Sequence, residues 1–339
     1  MGSATITDIS KLAGVSKATV SRVLNNPSIV DPATRSKVER IIDELHYVPS
    51  AAARNLSRSS STTIGAVVAD IANPFFSELL KGVLNVCNGC GYTLICADNG
   101  DCIENDFRAL DSMREQRVAG LIYAPAVDYV YYTKSDELKC RVDDLHSPVV
   151  LVDRKICWDE LKPDGVFFND REAIKKAVVT LAENGHRDIA IINSNEKNFL
   201  ADNRMAGYEE GIREAGLTFD SRLVFADDMY TVSSGYQQTQ KMLELPKLPT
   251  AVITCNNLLT QGFIKAVRES ERGEAQRIAY ISLDGLPMMG ILGISYNYIK
   301  RDAYLMGQEA ANLLFRRMSY PEGARQELLL DAPLVLQTI

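Results

Sequence analysis

The sequence lacks the signals of a membrane protein, a disulfide-rich protein or a metal protein. No apolar run is long enough to cross a bilayer, and no secretory leader is evident. The seven cysteines are odd in number and irregularly spaced. Cys87 and Cys90 have C-x-x-C spacing, but no second pair of Cys or His follows at zinc-finger distance. We therefore expect reduced thiols in a cytoplasm, and neither a metal nor a cofactor.

Motifs of common enzyme classes are also missing. A Rossmann oxidoreductase places G-x-G-x-x-G between a strand and a helix, whereas Gly89 and Gly91 precede the strand that they border. The three histidines, at positions 46, 146 and 186, show no pairing with a nucleophile elbow. These missing motifs argue against the alternative that the protein is an enzyme, and we expect no catalytic residues.

Charge is unevenly distributed along the 339 residues. The formal net charge of −7 argues, by itself, against a nucleic-acid partner. Residues 1–62, however, contain eight basic and five acidic side chains, whereas the remainder contains 29 basic and 39 acidic ones. A basic head on an acidic body confines the attraction of phosphate to one end of the chain.

The basic head begins with two predicted helices joined by a glycine. Thr5 and Asp8 form a capping box for a helix that ends at Gly14 and carries an apolar face of Ile9, Leu12 and Ala13. Ser16 caps a second helix, whose Val20, Val23 and Leu24 have core spacing. Its outward positions are Lys17, Ala18, Ser21 and Arg22.

This pattern suits a helix-turn-helix, in which the second helix enters the major groove. Arg22 has the fork geometry for guanine, and Ala18 can contact a thymine methyl group. Ser21 and Lys17 can bind a base or a phosphate. The alternative is a solvated helical hairpin inside a larger fold.

Two further helices are predicted before residue 57. Asp31-Pro32 starts a helix that closes a three-helix core through Val38, Ile41, Ile42 and Leu45. Ser50 caps a short helix that ends near Leu56, and such a helix is unstable alone in water. A helix of this kind can wedge Leu56 into a minor groove; the alternative is a linker helix with a spare leucine.

A dense set of motifs runs from Thr5 to Leu56: Leu12-Ala13-Gly14-Val15-Ser16, residues 19–25, Thr34-Arg35, and Tyr47-Val48-Pro49 followed by Ala53-Arg54 and Leu56. The set resembles the LacI/GalR family of bacterial transcription regulators. The resemblance implies a homodimer on a pseudo-palindromic double-stranded DNA operator, a hinge helix, and a two-lobed, periplasmic-binding-protein-like core for a small effector. It implies DNA contacts at Thr5, Ser16, Lys17, Ala18, Thr19, Ser21, Arg22, Asn25, Ala53 and Leu56.

From Ile64 onward, short β-branched runs alternate with amphipathic helices, which predicts doubly wound parallel sheets. The strands are expected at 64–69, 92–97, 118–124, 149–152, 166–168, 189–192, 223–226, 251–254 and 278–283. Helices are expected near 75–90, 103–116, 171–185, 202–216, 233–244 and 258–270. So many strands suggest two sheets.

We expect a DNA-binding domain at 1–49, a hinge and linker at 50–63, and an effector-binding core at 64–339. Lobe 1 would take about 64–157 and 299–325, and lobe 2 about 158–298 and 326–339. Residues 293–298 and the helix at 301–318 would cross back to the first sheet, and residues 328–336 would return to the second.

Nearly every predicted strand ends in Asp or Asn, at the edge where open parallel sheets bind ligands. Such residues are also common helix caps. Carboxylates and amides take hydroxyl groups, and Phe75 or Tyr230 could cover the apolar face of a sugar. The family resemblance implies effector contacts at Asn73, Phe75, Asp153, Arg204, Asn256 and Asp284. The chain departs from the family at Asn257, at Asn169-Asp170 and in the stretch 287–293.

We therefore predict a regulator, most simply a repressor of carbohydrate genes, that is controlled by a sugar or sugar derivative between the lobes. Arg154 and Arg204 together could accept a carboxylate or phosphate, so a sugar phosphate is included. The alternatives are control by a phosphorylated partner protein, or a sugar-binding protein without a DNA role. Because no heptad run follows Ala332, we expect a homodimer without a coiled-coil tetramer. The expected location is the bacterial cytoplasm, on the nucleoid when bound to an operator.

Overall fold

The computed structural model describes residues 5–47, 61–126, 135–156, 163–195 and 199–337. The chain divides into two compact units, Met1–Thr62 and Thr63–Ile339. The predicted hinge helix, with Ala53 and Leu56, lies outside the described residues. Among those residues, no helix is both long and apolar enough to span a membrane.

The first unit contains three helices, α1 (Ile6–Ala13), α2 (Lys17–Asn25) and α3 (Pro32–Glu44), with a 3-10 turn at Pro27–Ile29. The predicted caps are confirmed. Thr5 and Asp8 form the capping box of α1, and the Ser16 hydroxyl accepts from the backbone N–H of Thr19. Asp31 caps α3 with proline in its first turn. Gly14 ends α1 with a φ of 65°, a conformation that favours glycine.

The core of this unit consists of Ile9, Ala13, Val20, Val23, Val38 and Ile41, all buried. The prediction that Leu12 faces this core is wrong, because its side chain is 61% exposed. At 100° per residue, the buried arc of α1 is centred near Ile6 and Ala13, and it extends to Ser10. Leu12 lies on the other side of Ile9 and falls outside that arc.

The second unit contains two parallel sheets, which confirms the predicted α/β class. The first sheet has the order β11-β5-β4-β3-β1-β2. Its strands, numbered in chain order, are β1 (Thr63–Val68), β2 (Thr93–Asp98), β3 (Gly120–Tyr123), β4 (Val149–Val152), β5 (Asp164–Phe168) and β11 (Glu327–Leu330).

The second sheet repeats this layout with the order β12-β10-β9-β8-β6-β7. Its strands are β6 (Ile189–Ser194), β7 (Val224–Asp227), β8 (Ala251–Thr254), β9 (Ala279–Leu283), β10 (Asn297–Ile299) and β12 (Leu334–Val335). Within this sheet only β12 runs antiparallel to its neighbour.

Three expected strand placements are wrong. The strand β5, expected in the second lobe, pairs in parallel with β4. The strand β10, expected to cross back, pairs with β9 in the second sheet. The stretch 328–336 is divided, since β11 joins the first sheet and β12 the second. The break near 155–165 thus separates two strands of one sheet, and the chain crosses between lobes after Phe168, after Ile299 and after Leu330.

The helices of the core cover both faces of each sheet. They are α4 (Pro74–Gly89), α5 (Ile103–Glu115), α6 (Ser135–Asp143), α7 (Asp170–Glu183), α8 (Phe199–Glu214), α9 (Val232–Leu243), α10 (Asn257–Glu269), α11 (Pro287–Ile291) and α12 (Ala303–Ser319). The expected helices are confirmed to within a few residues, while α6 and α11 are additional.

Helices α4 and α12 cross at glycines, and this contact positions part of the cleft. A Cβ on Gly82 would lie 2.1 Å from the carbonyl oxygen of Tyr304, and one on Gly307 would lie 2.0 Å from that of Leu79. Only glycine permits such an approach. Tyr304, in the first turn of α12, is therefore held against the middle of α4.

Candidate DNA-binding and effector-binding surfaces

The exposed face of α2 gathers the predicted base-reading residues. Lys17, Ala18 and Arg22 are exposed, and Ser21 is half-buried beside them. The opposite face is fixed, since Val20 is fully buried and Val23 is 5% exposed. The helix carries two cations and no acidic residue. Its outer face can therefore approach a phosphate backbone without repulsion.

The N-terminus of α2 adds backbone donors to this face. The side chain of Ser16 caps the helix through Thr19, and the two hydroxyl oxygens lie 2.9 Å apart. The exposed first turn of a helix attracts phosphate oxygens. Thr5 is engaged in the same way at the start of α1, where its hydroxyl lies 2.6 Å from Asp8 Oδ2. Asn25 closes α2, and its side chain is outside the described part of the chain.

All seven predicted effector residues line one cavity of about 190 Å³ between the two lobes. They come from both sheets, at the carboxyl ends of the strands, where open α/β folds bind ligands. The set comprises Asn73, Phe75, Asp153, Arg204, Tyr230, Asn256 and Asp284. Sequence reasoning therefore brought together residues that are up to 211 positions apart in the chain, from Asn73 to Asp284.

Two of these residues occupy equivalent positions in the two lobes. Asp153 follows β4 and Asp284 follows β9, the third strand of each sheet order. Their backbone N–H groups donate to Val166 and Ile299 in the adjacent strands. Both have positive φ, 62° and 71°, which costs about 1–3 kcal/mol in a residue other than glycine. Strain of this kind concentrates at functional sites.

An arginine that the sequence analysis did not assign to the site joins these two aspartates. Arg301 donates from Nε and Nη2 to both oxygens of Asp284, at 2.7 Å each, and from Nη1 to Asp153 at 2.9 Å. Asp170 Oδ2 lies 3.5 Å from the same Nη1. Burial alone would lower the pKa of Arg301, but the three carboxylates hold it well above its usual value. Burial raises the pKa of Asp284, and Arg301 opposes that shift.

Aromatic rings flank the same guanidinium. Its carbon lies 4.3 Å from the centroid of Phe75 and 5.5 Å from that of Phe168. Arg301 follows β10 and precedes α12, so it sits at a crossing between lobes. The only signal in the sequence was a basic residue after a strand, in a chain where most strands end in Asp or Asn.

Arg204 is also paired inside the protein. Two of its nitrogens, Nε and Nη2, lie 2.8 Å from Asp170 Oδ2, and both side chains are less than 5% exposed. Its guanidinium lies 5.1 Å from the ring centroid of Tyr230. Arg204 is therefore held in an internal ion pair with Asp170. The other oxygen of Asp170 is buried without a hydrogen-bond partner among the described residues.

The rings proposed to cover a sugar each carry an arginine on one face. Phe75 holds Arg301, and Tyr230 holds Arg204. The hydroxyl of Tyr230 donates to Asn193 Oδ1 at 2.9 Å, and burial raises the pKa of Tyr230 to about 12. Tyr230 is therefore a fixed, neutral wall of the cavity.

Two asparagines of the cavity are helix caps, as the alternative interpretation allowed. Asn73 caps α4 through the N–H of Phe75 at 3.0 Å, and Asn256 caps α10 through that of Leu259 at 2.7 Å. Asn257 Nδ2 donates to Asn73 Oδ1 at 2.8 Å and so links the lobes. Its own Oδ1 is buried without a partner among the described residues.

Arg154 lines the cavity and is itself paired. Its Nη1 lies 2.6 Å from Asp101 Oδ1 and 2.6 Å from the carbonyl oxygen of Ala126. Arg154 and Arg204 are each paired with an aspartate, which reduces the positive charge that they offer to a carboxylate or phosphate. Five aspartates line the cavity: Asp70, Asp98, Asp101, Asp153 and Asp284.

Two family models match the chain. Residues 5–50 match "Bacterial regulatory proteins, lacI family", and residues 61–327 match "Periplasmic binding proteins and sugar binding domain of LacI family". Similar proteins include the HTH-type transcriptional repressor PurR of Histophilus somni strain 2336, at 31% identity over 96% of this chain and 95% of the relative. They also include the Ribose operon repressor of Escherichia coli K12, at 30% identity over 98% of each chain.

Solved structures agree over nearly the whole length. The Lac repressor dimer bound to operator and the anti-inducer ONPF superposes with a TM-score of 0.81, at 25% identity, over 99% of this chain and 98% of that one. A complex of the transcriptional regulator CelR with cellobiose gives a TM-score of 0.72, at 26% identity, over 98% of both chains.

Proposed function

Because this chain belongs to the LacI family of bacterial regulatory proteins, we propose that it is a repressor switched by a small polyol. In this proposal a homodimer binds a pseudo-palindromic operator in the bacterial cytoplasm. The effector binds between the lobes of the core, and the role is regulatory rather than catalytic. The observation that carries the proposal is that one cavity between the lobes is lined by all seven expected effector residues.

The exposed face of α2 supports the DNA-binding half of the proposal. Lys17, Ala18 and Arg22 share that face, and the capped N-terminus lies beside them. Arg22 would read guanine in the major groove, while Ser16 and Thr19 would contact phosphates. The proposed wedge, Leu56, would enter the minor groove.

The charge of the cavity favours a neutral, hydroxyl-rich effector over an anionic one. The three arginines that line it are each paired with an aspartate, and the surplus of carboxylates repels a phosphate. Carboxylate oxygens that already accept one donor can still accept hydroxyl groups. A sugar or sugar alcohol therefore fits better than a sugar phosphate. Carbohydrate genes are the corresponding target.

Arg301 supplies the proposed coupling between effector and DNA. It ties Asp153 of one lobe to Asp284 of the other. An effector that binds these aspartates changes the restraint between lobes, and the lobe angle would set the spacing of the two linkers in a dimer. Exposed apolar residues on and beside α11, Met288, Ile291 and Leu292, are the proposed surface for the second copy.

The proposal is tested by fluorescence anisotropy with the full-length protein. Operator candidates are selected from random duplexes, and each is compared with a scrambled duplex at moderate salt. We expect dimers to prefer an inverted repeat, and Leu56→Ala to weaken binding and bending. A thermal-shift screen against sugars then identifies effectors. A monomer with equal affinity for inverted and scrambled duplexes would contradict the proposal.

A further inference from the structure

Two cavities of similar size lie between the lobes. The effector cavity measures about 190 Å³, and a second one, which we call the rear cavity, measures about 180 Å³. The rear cavity draws its wall from both lobes, with Phe167 from one and Phe199 from the other. Asp153, Leu200 and Arg301 line both cavities. Ligand pockets usually measure about 300–1,000 Å³, so each cavity alone falls below this range and only the two together would reach it.

Bonded side chains separate the two cavities. Arg301 donates to Asp153 and to Asp284. Arg204, which lines the effector cavity, binds Asp170, which lines the rear cavity. All five side chains belong to residues that are less than 10% exposed. The two cavities therefore stay apart as long as Arg301 keeps its place.

Arg301 makes the contacts that the proposed function assigns to a sugar. A sugar would use carboxylates for its hydroxyl groups and an aromatic ring for its apolar face. The guanidinium of Arg301 already binds both oxygens of Asp284, at 2.7 Å each. Its carbon lies 4.3 Å from the ring centroid of Phe75 in the effector cavity and 5.5 Å from that of Phe168 in the rear cavity. A sugar and this guanidinium thus need the same partners.

We propose that Arg301 is an internal competitor of the effector, and that the effector binds by displacing its guanidinium from Asp153 and Asp284. This inference rests on the proposed polyol effector and adds how the cleft selects it. Displacement joins the two cavities, so the cleft accepts a ligand that neither cavity holds alone. The lobes are also tied together before the effector arrives, and the effector replaces an existing tie between them.

Asp170 supplies what the displaced state needs. Its Oδ2 lies 3.5 Å from Arg301 Nη1, so the guanidinium keeps a carboxylate when it leaves Asp153 and Asp284. Its Oδ1 is buried without a hydrogen-bond partner among the described residues. This oxygen can accept from the displaced guanidinium or from an effector hydroxyl, which recovers free energy that an unsatisfied buried acceptor loses. Displacement therefore exchanges hydrogen bonds.

The test measures sugar binding by titration calorimetry on the full-length protein, with ribose, glucose and galactose as the probes. The wild type is compared with the double variant Arg301→Gln/Asp170→Asn. This variant removes one charge of each sign, so it opens the partition without stranding an additional buried carboxylate. We expect it to bind at least one of the sugars about tenfold more tightly than the wild type does, because binding no longer has to displace a bonded cation. Equal or weaker binding would overturn the inference and leave the polyol proposal standing.

A milder variant decides the question if the double variant does not fold. Arg301→Lys keeps the charge and loses the fork that holds both oxygens of Asp284, so it should also bind sugar more tightly than the wild type. The control is Arg317→Lys, because Arg317 holds both oxygens of Asp164 outside both cavities. Its sugar affinity should equal that of the wild type. The same gain in both lysine variants would show a general loosening of the protein and would contradict the inference.

The failure of the proposed function is distinguishable from these outcomes. If neither the wild type nor any variant binds a sugar while operator binding persists, the polyol effector is itself overturned, and the competition by Arg301 falls with it.

Discussion

The two ends of α12 carry ion pairs of the same geometry that lie in different surroundings. Just before the helix, Arg301 binds both oxygens of Asp284. Near its end, Arg317 binds both oxygens of Asp164, at 2.7 and 2.9 Å. Both aspartates are less than 10% exposed. The chemistry is the same, but only Arg301 also binds an aspartate of the other lobe, Asp153.

The surroundings of the two pairs explain the difference. Asp164 begins β5, at the amino end of the first sheet, and Arg317 also donates to the carbonyl oxygens of Pro321 and Ala324. That pair anchors the segment between α12 and β11. Arg301 lies at the carboxyl ends of the strands, among three carboxylates and two rings. We therefore expect a bidentate pair to act as a switch only where two lobes meet and a ligand can compete for it.

The largest expected effect is the loss of stability in Arg301→Met. Among the described residues, it leaves Asp153, Asp170 and Asp284 buried, with Arg204 as the cation still paired to Asp170. Breaking a buried pair in this way costs about 3–5 kcal/mol, which urea unfolding measures. Arg317→Met should cost less, since Asp164 keeps the backbone N–H of Gln326 at 2.7 Å. Arg316→Met, at an exposed neighbour, is the control. If Arg301→Met and Arg317→Met lowered the free energy of unfolding equally, the proposed difference between the two pairs would be contradicted.

A smaller loss is expected for the aspartate partners. Asp284→Asn should cost about 2–3 kcal/mol, because Arg301 retains Asp153 and the surplus of carboxylates shrinks. It should also abolish the effector response and leave effector-free operator binding intact. Asp164→Asn should lower stability by a similar amount and preserve the response. Anisotropy titrations of operator binding, with and without effector, distinguish Asp284→Asn from Asp164→Asn. If Asp284→Asn lost both binding activities, the residue would be structural.

Lysine substitutions should give the smallest effect on stability, and they should distinguish most clearly the restraint that Arg301 imposes between the lobes from the one that Arg317 imposes within a lobe. Arg301→Lys keeps the charge but removes the fork, so it loosens the link between lobes at a cost of about 1–2 kcal/mol. We expect faster hydrogen exchange at Asp153 and Asp284 and a changed effector concentration at half-response. Arg317→Lys should alter exchange only near Asp164. Identical exchange patterns would show that neither pair restrains the lobes.

Local signals predicted much of this fold. The caps at Thr5, Ser16 and Asp31 need only three or four consecutive residues, and the β-branched runs marked most strands to within a few positions. The placement of β5 failed because the pairing of Val150 with Asp164 leaves no trace in the composition of either strand. The prediction that Leu12 faces the core was wrong because the buried face of a helix depends on where the other helices pack against it.

The sequence predicted which residues line the candidate site, but it did not predict the ion pairs and hydrogen bonds that connect them. The rule that ligands bind at carboxyl ends of strands located Asp153 and Asp284. Nothing in the sequence pairs Arg301 with Asp153, 148 positions away. Asp170 was noted only for its order with Asn169, and its pairing with Arg204 depends on how α7 and α8 pack.

The division of the last strands has a consequence for biosynthesis. Residues 327–335 supply an edge strand to each sheet, β11 beside β5 and β12 beside β10. On a ribosome that is still making this segment, both sheets therefore lack their final border, and β5 and β10 expose unpaired backbone that can join foreign chains. Completion of the two lobes is thus tied to one segment, and a chain that stopped before residue 327 would leave both edges open to aggregation and proteolysis.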